Sequence, residues 1–73
     1  MEAESWGRKI RAFRKLKGYT QESLAKEMNV SISIIGEIER GNRYPSKDIL
    51  EGVAKILHVT VEDLTPEEAK KDA

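Results

Sequence analysis

Residues 20–40 read TQESLAKEMNVSISIIGEIER, and their pattern predicts two short helices joined by a tight turn. Thr20 and Ser31 each place a hydroxyl group directly before an apolar-periodic segment, where it can accept a hydrogen bond from the first-turn amides of a helix. Between the two segments, Asn29 belongs to the residue types that tolerate positive φ. The pattern therefore predicts a helix of about eight residues, a tight turn and a second helix that ends near Arg40.

Further helices are predicted on both sides of this pair. Apolar residues recur at helical spacing after Ser5, so a first helix is expected from about residue 6 to 17, with Ser5 as its N-cap. A fourth, amphipathic helix is expected over residues 47–57, after Ser46, and a short fifth one is expected to begin at the cap residue Thr60 and end at Leu64. Residues 65–68 read TPEE, which places an N-cap, a proline and a glutamate at the positions that favour one more short helix.

The length and composition restrict the fold class. The chain has 73 residues and no cysteine, so it can hold one small domain whose core is apolar packing alone. The sequence contains no period-two alternation typical of strands. We therefore predict an all-α, compact five-helix domain and allow for a short sixth helix. The predicted organisation is an N-terminal arm (1–5), the domain (6–65, with its two-helix motif at about 21–40) and a charged C-terminal tail (66–73).

Charge alone identifies no partner. The chain carries 13 basic and 13 acidic residues, for a formal net charge of zero. Residues 1–20 and 40–55 are net basic, whereas residues 21–39 and 56–73 are net acidic. A domain that gripped nucleic acid by bulk charge would be strongly basic, so nucleic-acid binding by this chain requires a defined local geometry.

The residue inventory argues against catalysis. There is one histidine, His58, and no Gly-rich phosphate loop or metal-ligand spacing. His58 follows the fourth helix, where a helix-capping role is expected. We therefore predict a protein that is not an enzyme and holds no cofactor or metal. The acidic start is unlike a signal peptide and no apolar run suits a membrane span, so a cytoplasmic location without membrane contact is expected.

Several short segments carry a further signal. They are residues 6–14 (WGRKIRAFR), 18–21 (GYTQ), 24–25 (LA), 35–41 (IGEIERG), 45–46 (PS) and 57–59 (LHV). In this order they resemble the Cro and lambda-repressor type (XRE) family of bacterial and phage regulators, over about residues 6–65. The resemblance implies a helix-turn-helix domain, in which the second helix of the motif lies in the major groove of DNA while the first crosses the backbone.

The second helix of the motif divides into two faces on a helical wheel. The inward face comprises Ser31, Ile34, Ile35 and Ile38, and the outward face comprises Ile32, Ser33, Gly36, Glu37 and Arg40. Four outward residues are predicted to read bases. These are Ile32 against a thymine methyl group, Ser33 through hydrogen bonds to base edges, Glu37 as acceptor from a cytosine amino group and Gly36 through close backbone approach.

The resemblance also implies phosphate contacts at the start of the motif's first helix and around its second helix. The predicted set is Thr20, Gln21, Ser31, Arg40, Asn42 and Arg43. In addition, the resemblance pairs Arg14 with Glu39. Because an isolated buried charge costs several kcal/mol, a cation and an anion at the edge of the core predict a structural ion pair.

These expectations describe a sequence-specific transcriptional regulator, specifically a repressor, that binds double-stranded DNA. The alternative is a protein-interaction module or an antitoxin of the same fold, which docks a partner protein through the isoleucines of the third helix and the acidic tail. A homodimer is also predicted, since one reading helix covers only a few base pairs. Its seam is expected at Val59, Val61, Leu64 and the outer face of the fourth helix around Ile49 and Ile56.

Overall fold

Helices and their connecting turns make up the whole of the described chain, residues 2–70 of a computed structural model. The helices are α1 (Glu2–Leu16), α2 (Gln21–Met28), α3 (Ile32–Glu39), α4 (Lys47–Leu57), α5 (Val61–Leu64) and α6 (Glu67–Lys70). The all-α class is confirmed, and the sixth helix is present.

The predicted N-terminal arm is wrong, because α1 already begins at Glu2. Ser5 does not cap the helix. It lies buried inside α1, and its hydroxyl donates a hydrogen bond to the Glu68 carboxylate at 2.8 Å. Hydrogen bonds from its own backbone amide and from Ser5 lower the pKa of the Glu68 carboxyl below its ordinary value. Packing against the C-terminal part of the chain thus outweighs the local capping signal. Met1 and residues 71–73 lie outside the described residues.

The predicted Thr65 N-cap is wrong, because Thr65 is the C-cap of α5 and its hydroxyl donates to the Val61 carbonyl oxygen at 2.8 Å. The other predicted helix ends are confirmed by side-chain and backbone geometry. The N-cap residues are Thr20, Ser31, Ser46 and Thr60, and each hydroxyl accepts a hydrogen bond from an amide of the following turn. The residues with positive φ at helix ends are Gly18, Asn29, Gly41 and His58. Capping and left-handed termination depend on a few neighbouring residues, which is why the sequence predicts them well.

The core lies between α1, α2, α3 and α4, and α5 closes it. Its fully buried side chains include Ile10, Leu24, Ile35, Ile38, Val53, Leu57 and Leu64. Because α3 packs against α1 on one side and against α2 on another, its remaining face is open to solvent. The prediction that Leu64 belongs to a dimer seam is wrong, since α5 turns this side chain fully into the core.

Gly7 lets α1 approach the C-terminal end of α3 closely. A Cβ atom at this position would lie 2.8 Å from the carbonyl oxygen of Glu39 and closer still to that of Ile38. Both neighbours are backbone atoms, which cannot turn aside as a flexible side chain can. Glycine at this position therefore sets the distance between α1 and α3.

Candidate nucleic-acid interface

The turn between α2 and α3 is held by local hydrogen bonds. Asn29 takes a left-handed conformation with φ of 58°, and the Val30 amide donates to the Ala25 carbonyl at 3.0 Å. Ser31 then begins α3, since its hydroxyl accepts from the Ser33 amide at 3.0 Å. The orientation of α3 relative to α2 is thus set by backbone geometry within a few residues.

A buried ion pair joins α1 to the end of α3. Nε and Nη2 of Arg14 donate to the two carboxylate oxygens of Glu39 at 2.6 and 3.0 Å, and the two side chains are 8% and 3% exposed. Arg14 Nη1 donates to the Tyr19 carbonyl oxygen at 2.7 Å. Gln21 Nε2 donates to Glu39 Oε1 at 2.9 Å. The structure thus contains the Arg14–Glu39 pair and extends it to the start of α2.

The solvent-facing side of α3 begins with Ile32 and Ser33. Ile32 is 47% exposed, and Ser33 is exposed too. Ile35 and Ile38 are buried on the opposite side. Ser31 was expected on the inward face but is exposed, because the N-cap residue precedes the helix and does not follow its periodicity.

Two arginines that follow α3 fold back over its outward face. Gly36 is buried, contrary to the expectation of open backbone, and a Cβ atom there would lie 3.0 Å from Arg40 Nη1. The Arg40 guanidinium therefore covers Gly36. Arg43 Nε donates to Glu37 Oε1 at 2.7 Å, in a pair whose side chains are 49% and 36% exposed. The middle of the outward face is thus cationic rather than acidic.

The residues predicted to contact phosphates lie around this face. Thr20, Ser31, Arg40, Asn42 and Arg43 are exposed. Gln21 differs, because it is only partly exposed and its amide nitrogen already donates to Glu39. A primary amide carries two N–H groups, so one donor of Gln21 remains for another partner.

A groove of about 600 Å³ runs between α2 and α4. Its apolar lining comes from Tyr19, Met28, Val30, Ile49 and Ile56. Its polar lining residues include Glu27, Asp48, Lys55 and His58. The groove thus contains the two α4 residues of the predicted seam, Ile49 and Ile56, whereas Val61 is 37% exposed outside it.

Three other predictions concern His58, metal binding and the membrane. His58 is the C-cap of α4 with φ of 58°, so the helix-capping role is confirmed. Over residues 2–70, no three His, Asp or Glu side chains come together as a group that can hold a metal ion. None of the helices in this range combines the length and the apolar character needed to cross a membrane.

Comparison with known proteins places this geometry in a family. A family model described as helix-turn-helix matches residues 10–64. The chain belongs to this family. It is 60% identical over 68 residues to the uncharacterized HTH-type transcriptional regulator YazB of Bacillus subtilis (strain 168), a match that covers 93% of this chain and 99% of YazB. Family membership confirms the predicted class of DNA-binding transcriptional regulator.

Two further relatives belong to the same class. The immunity repressor protein of Bacillus phage phi105 is 40% identical over 62 residues, which is 85% of this chain but 43% of that repressor. The crystal structure of the clp gene regulator ClgR from Corynebacterium glutamicum superposes with a TM-score of 0.83 at 34% identity, and the match covers 88% of this chain and 68% of ClgR. The helix-turn-helix fold of the family therefore extends over most of the chain.

Three features of the site were not predicted from the sequence. Gly7 was given no role, Gly36 was expected on an open surface, and the hydrogen bond between Gln21 and Glu39 was not expected. One signal was available for Gly7, since it lies seven residues before Arg14 and so shares the helix face that the predicted ion pair turns toward α3. The other two features are side-chain contacts between separate elements or turns, for which spacing gives no direct signal.

Proposed function

We propose that the chain is a sequence-specific repressor that inserts α3 into the major groove of double-stranded DNA. The observation that carries this proposal is the Arg14–Glu39–Gln21 network, which anchors α3 while its far side remains open to solvent. A fixed helix with one open face suits the major groove, which admits a single α-helix. The name of the phage phi105 relative, an immunity repressor, supports repression. Such a repressor acts in the cytoplasm, beside the DNA, and catalyses no reaction.

Base reading is proposed for the first two turns of α3. Ile32 offers an exposed apolar surface for a thymine methyl group, and the Ser33 hydroxyl can donate to or accept from base edges. Glu37 is proposed to accept from a cytosine amino group. Its pairing with Arg43 does not prevent this, because a carboxylate has about four acceptor positions and the Arg43 bond occupies one of them.

Phosphate contacts are proposed at the start of α2 and at both ends of α3. The proposed residues are Thr20, Gln21, Ser31, Asn42 and Arg43. The first-turn amides of α2 and the second N–H of Gln21 are donors of the kind that bind phosphate at a helix N-terminus. Arg43 uses Nε for Glu37, which leaves its terminal nitrogens for a phosphate oxygen.

A salt titration tests the proposal. Affinity for duplex DNA selected from random fragments should fall with a log–log slope of about −3 to −5 per subunit, because about three to five phosphates are neutralised. Arg43→Ala should weaken binding on every duplex and reduce the slope by about one. Lys15→Ala removes the same charge from an exposed position of α1 and serves as the matched control, with a smaller effect.

Base reading is tested separately from phosphate binding. Ile32→Ala and Ser33→Ala should change which bases are preferred, at about 1–3 kcal/mol for each lost contact. A salt response that is flat for the wild-type chain contradicts DNA binding and favours the alternative of a protein-interaction module.

We also propose a homodimer that forms through the groove-facing side of α4. This side carries Asp48 near one end, Lys55 near the other and Ile49, Gly52 and Ile56 between or beside them. Asp48 and Lys55 lie seven residues apart, about 10 Å along the helix. If two α4 helices cross antiparallel at Gly52, Asp48 of each copy comes close to Lys55 of the other, and the isoleucines meet. The surface is thus complementary to itself.

Sedimentation across a concentration series tests the dimer. Ile56→Glu should shift the chain to the monomer, because it places a carboxylate in the apolar seam. Leu16→Glu makes the same kind of change at a side chain that is 73% exposed outside the groove, and should leave assembly unchanged. The preferred DNA site should then be an imperfect palindrome with half-sites about 34 Å apart. A wild-type chain that stays monomeric at high concentration and on a palindromic duplex contradicts the dimer.

A further inference from the structure

The Arg40 side chain lies along the outward face of α3. Arg40 is the C-cap of the helix, and Gly36 lies one turn earlier on the same face. A Cβ atom on Gly36 would lie 3.0 Å from Nη1 and 3.8 Å from Cζ of Arg40. The side chain therefore runs back toward the helix N-terminus and brings its guanidinium about 6 Å along the axis, from the end of α3 to its middle.

The Arg40 guanidinium keeps its hydrogen-bond donors available. Arg14 donates hydrogen bonds to Glu39 and Tyr19, and Arg43 donates one to Glu37. Over residues 2–70, no hydrogen bond or ion pair engages the Arg40 side chain. The nearby Glu37 carboxylate accepts a hydrogen bond from Arg43 and none from Arg40. A guanidinium has five N–H donors in a planar fork, and the Arg40 side chain that carries them is exposed.

We propose that Arg40 reads a guanine in the major groove, and that Gly36, which has no side chain, leaves the space in which the Arg40 guanidinium lies. This inference rests on the proposed insertion of α3 into DNA and changes the expected roles of both residues. Arg40 was expected to contact a phosphate, and Gly36 to bring bare backbone to the groove wall. The bidentate fork of arginine matches the O6 and N7 acceptors of guanine, which lie together on the major-groove edge. Arg40 would then read a base beside those assigned to Ile32 and Ser33.

A chemically altered guanine gives the sharpest test. The wild-type chain first selects its preferred duplex, and each guanine of that site is then replaced by an analogue that has carbon in place of N7. At one position the analogue should lower wild-type affinity about 10- to 100-fold. Arg40→Ala should bind the normal duplex more weakly than the wild-type chain does, by a similar factor. The analogue should not weaken the binding of Arg40→Ala any further, because this variant has already lost the contact with N7.

Comparison with Arg43 separates base reading from phosphate binding. Arg43→Ala should weaken the preferred and a scrambled duplex by the same factor, whereas Arg40→Ala should weaken the preferred duplex far more than the scrambled one. Arg40→Lys keeps the charge but loses the planar fork, so it should restore little of the preference for guanine. If Arg40→Ala weakens both duplexes equally and Arg40→Lys restores binding, Arg40 is a phosphate contact and the inference is overturned.

Gly36→Ala tests whether Gly36 positions the Arg40 guanidinium, and it does so without removing the guanidinium. Alanine favours helix, and its Cβ meets only the flexible end of Arg40, so the melting temperature should stay the same or rise. Preference for guanine at the analogue-sensitive position should nevertheless fall, because the guanidinium is displaced. An unchanged preference for guanine in this variant contradicts the proposed role of Gly36. If the wild-type chain binds no duplex at all, the proposed function itself fails, which is distinct from normal DNA binding that is indifferent to Arg40.

Discussion

Substitution of Arg14 by Met should destabilise the domain severely. Arg14 donates three hydrogen bonds, two to Glu39 and one to the Tyr19 carbonyl oxygen. The Glu39 side chain is 3% exposed, and after the substitution its carboxylate keeps only the neutral Gln21 amide as a side-chain hydrogen-bond donor. Removing one partner of a buried pair costs about 3–5 kcal/mol, since the other charge is left uncompensated.

That loss is large relative to the stability of so short a chain. At about 0.05–0.15 kcal/mol per residue, 73 residues give about 4–11 kcal/mol in total. The melting temperature should fall by about 12 °C or more, because each kcal/mol is worth about 4–8 °C in a domain of this size. Arg14→Met combined with Glu39→Met should recover much of the loss, because two apolar side chains of similar length leave no buried charge.

Urea denaturation followed by circular dichroism measures these values as a double-mutant cycle. The matched control is Arg43→Met, which breaks the Arg43–Glu37 pair at the surface and should cost at most about 1 kcal/mol. The reasoning is refuted if Arg14→Met leaves the urea midpoint unchanged, or if the double substitution is as unstable as both single ones added together.

Two other predictions follow from the contacts of α1. Gly7→Ala should destabilise the domain by about 1–3 kcal/mol in urea denaturation and weaken DNA binding, because the new methyl group meets backbone carbonyls of α3. Within its own subunit, Gly52→Ala meets only the flexible end of Met28, so at concentrations where the chain is monomeric it should be neutral or stabilising. The lowered pKa of Glu68 means that its folded-state interactions stabilise above the unfolded pKa of about 4.5 and are lost as pH falls through the folded value. The melting temperature of Glu68→Gln should therefore fall less than that of the wild-type chain below about pH 4.5, and identical acid profiles would contradict the Ser5–Glu68 contact.

The features that depend on neighbouring residues were predictable from the amino-acid sequence. Thr20, Ser31 and Thr60 cap their helices as predicted, because a hydroxyl needs only an amide two or three residues later. The bounds of α4 were predicted from apolar periodicity between Ser46 and the left-handed cap at His58. The Arg14–Glu39 pair was predicted from the resemblance to a family pattern and from the position of both residues at the edge of the core, and the structure contains it.

The features that depend on contacts between distant segments became visible only in the folded protein. Ser5 has the local features of an N-cap, but its contact with Glu68, far along the chain, places it inside α1. Leu64 was expected at the surface and is buried, since the direction of α5 is set by its packing on α1 and α4. Gly36 was expected to be open and is covered by Arg40. Helix propensity and capping depend on interactions among a few adjacent residues. Contacts between distant segments contribute free energy only once the helices have packed.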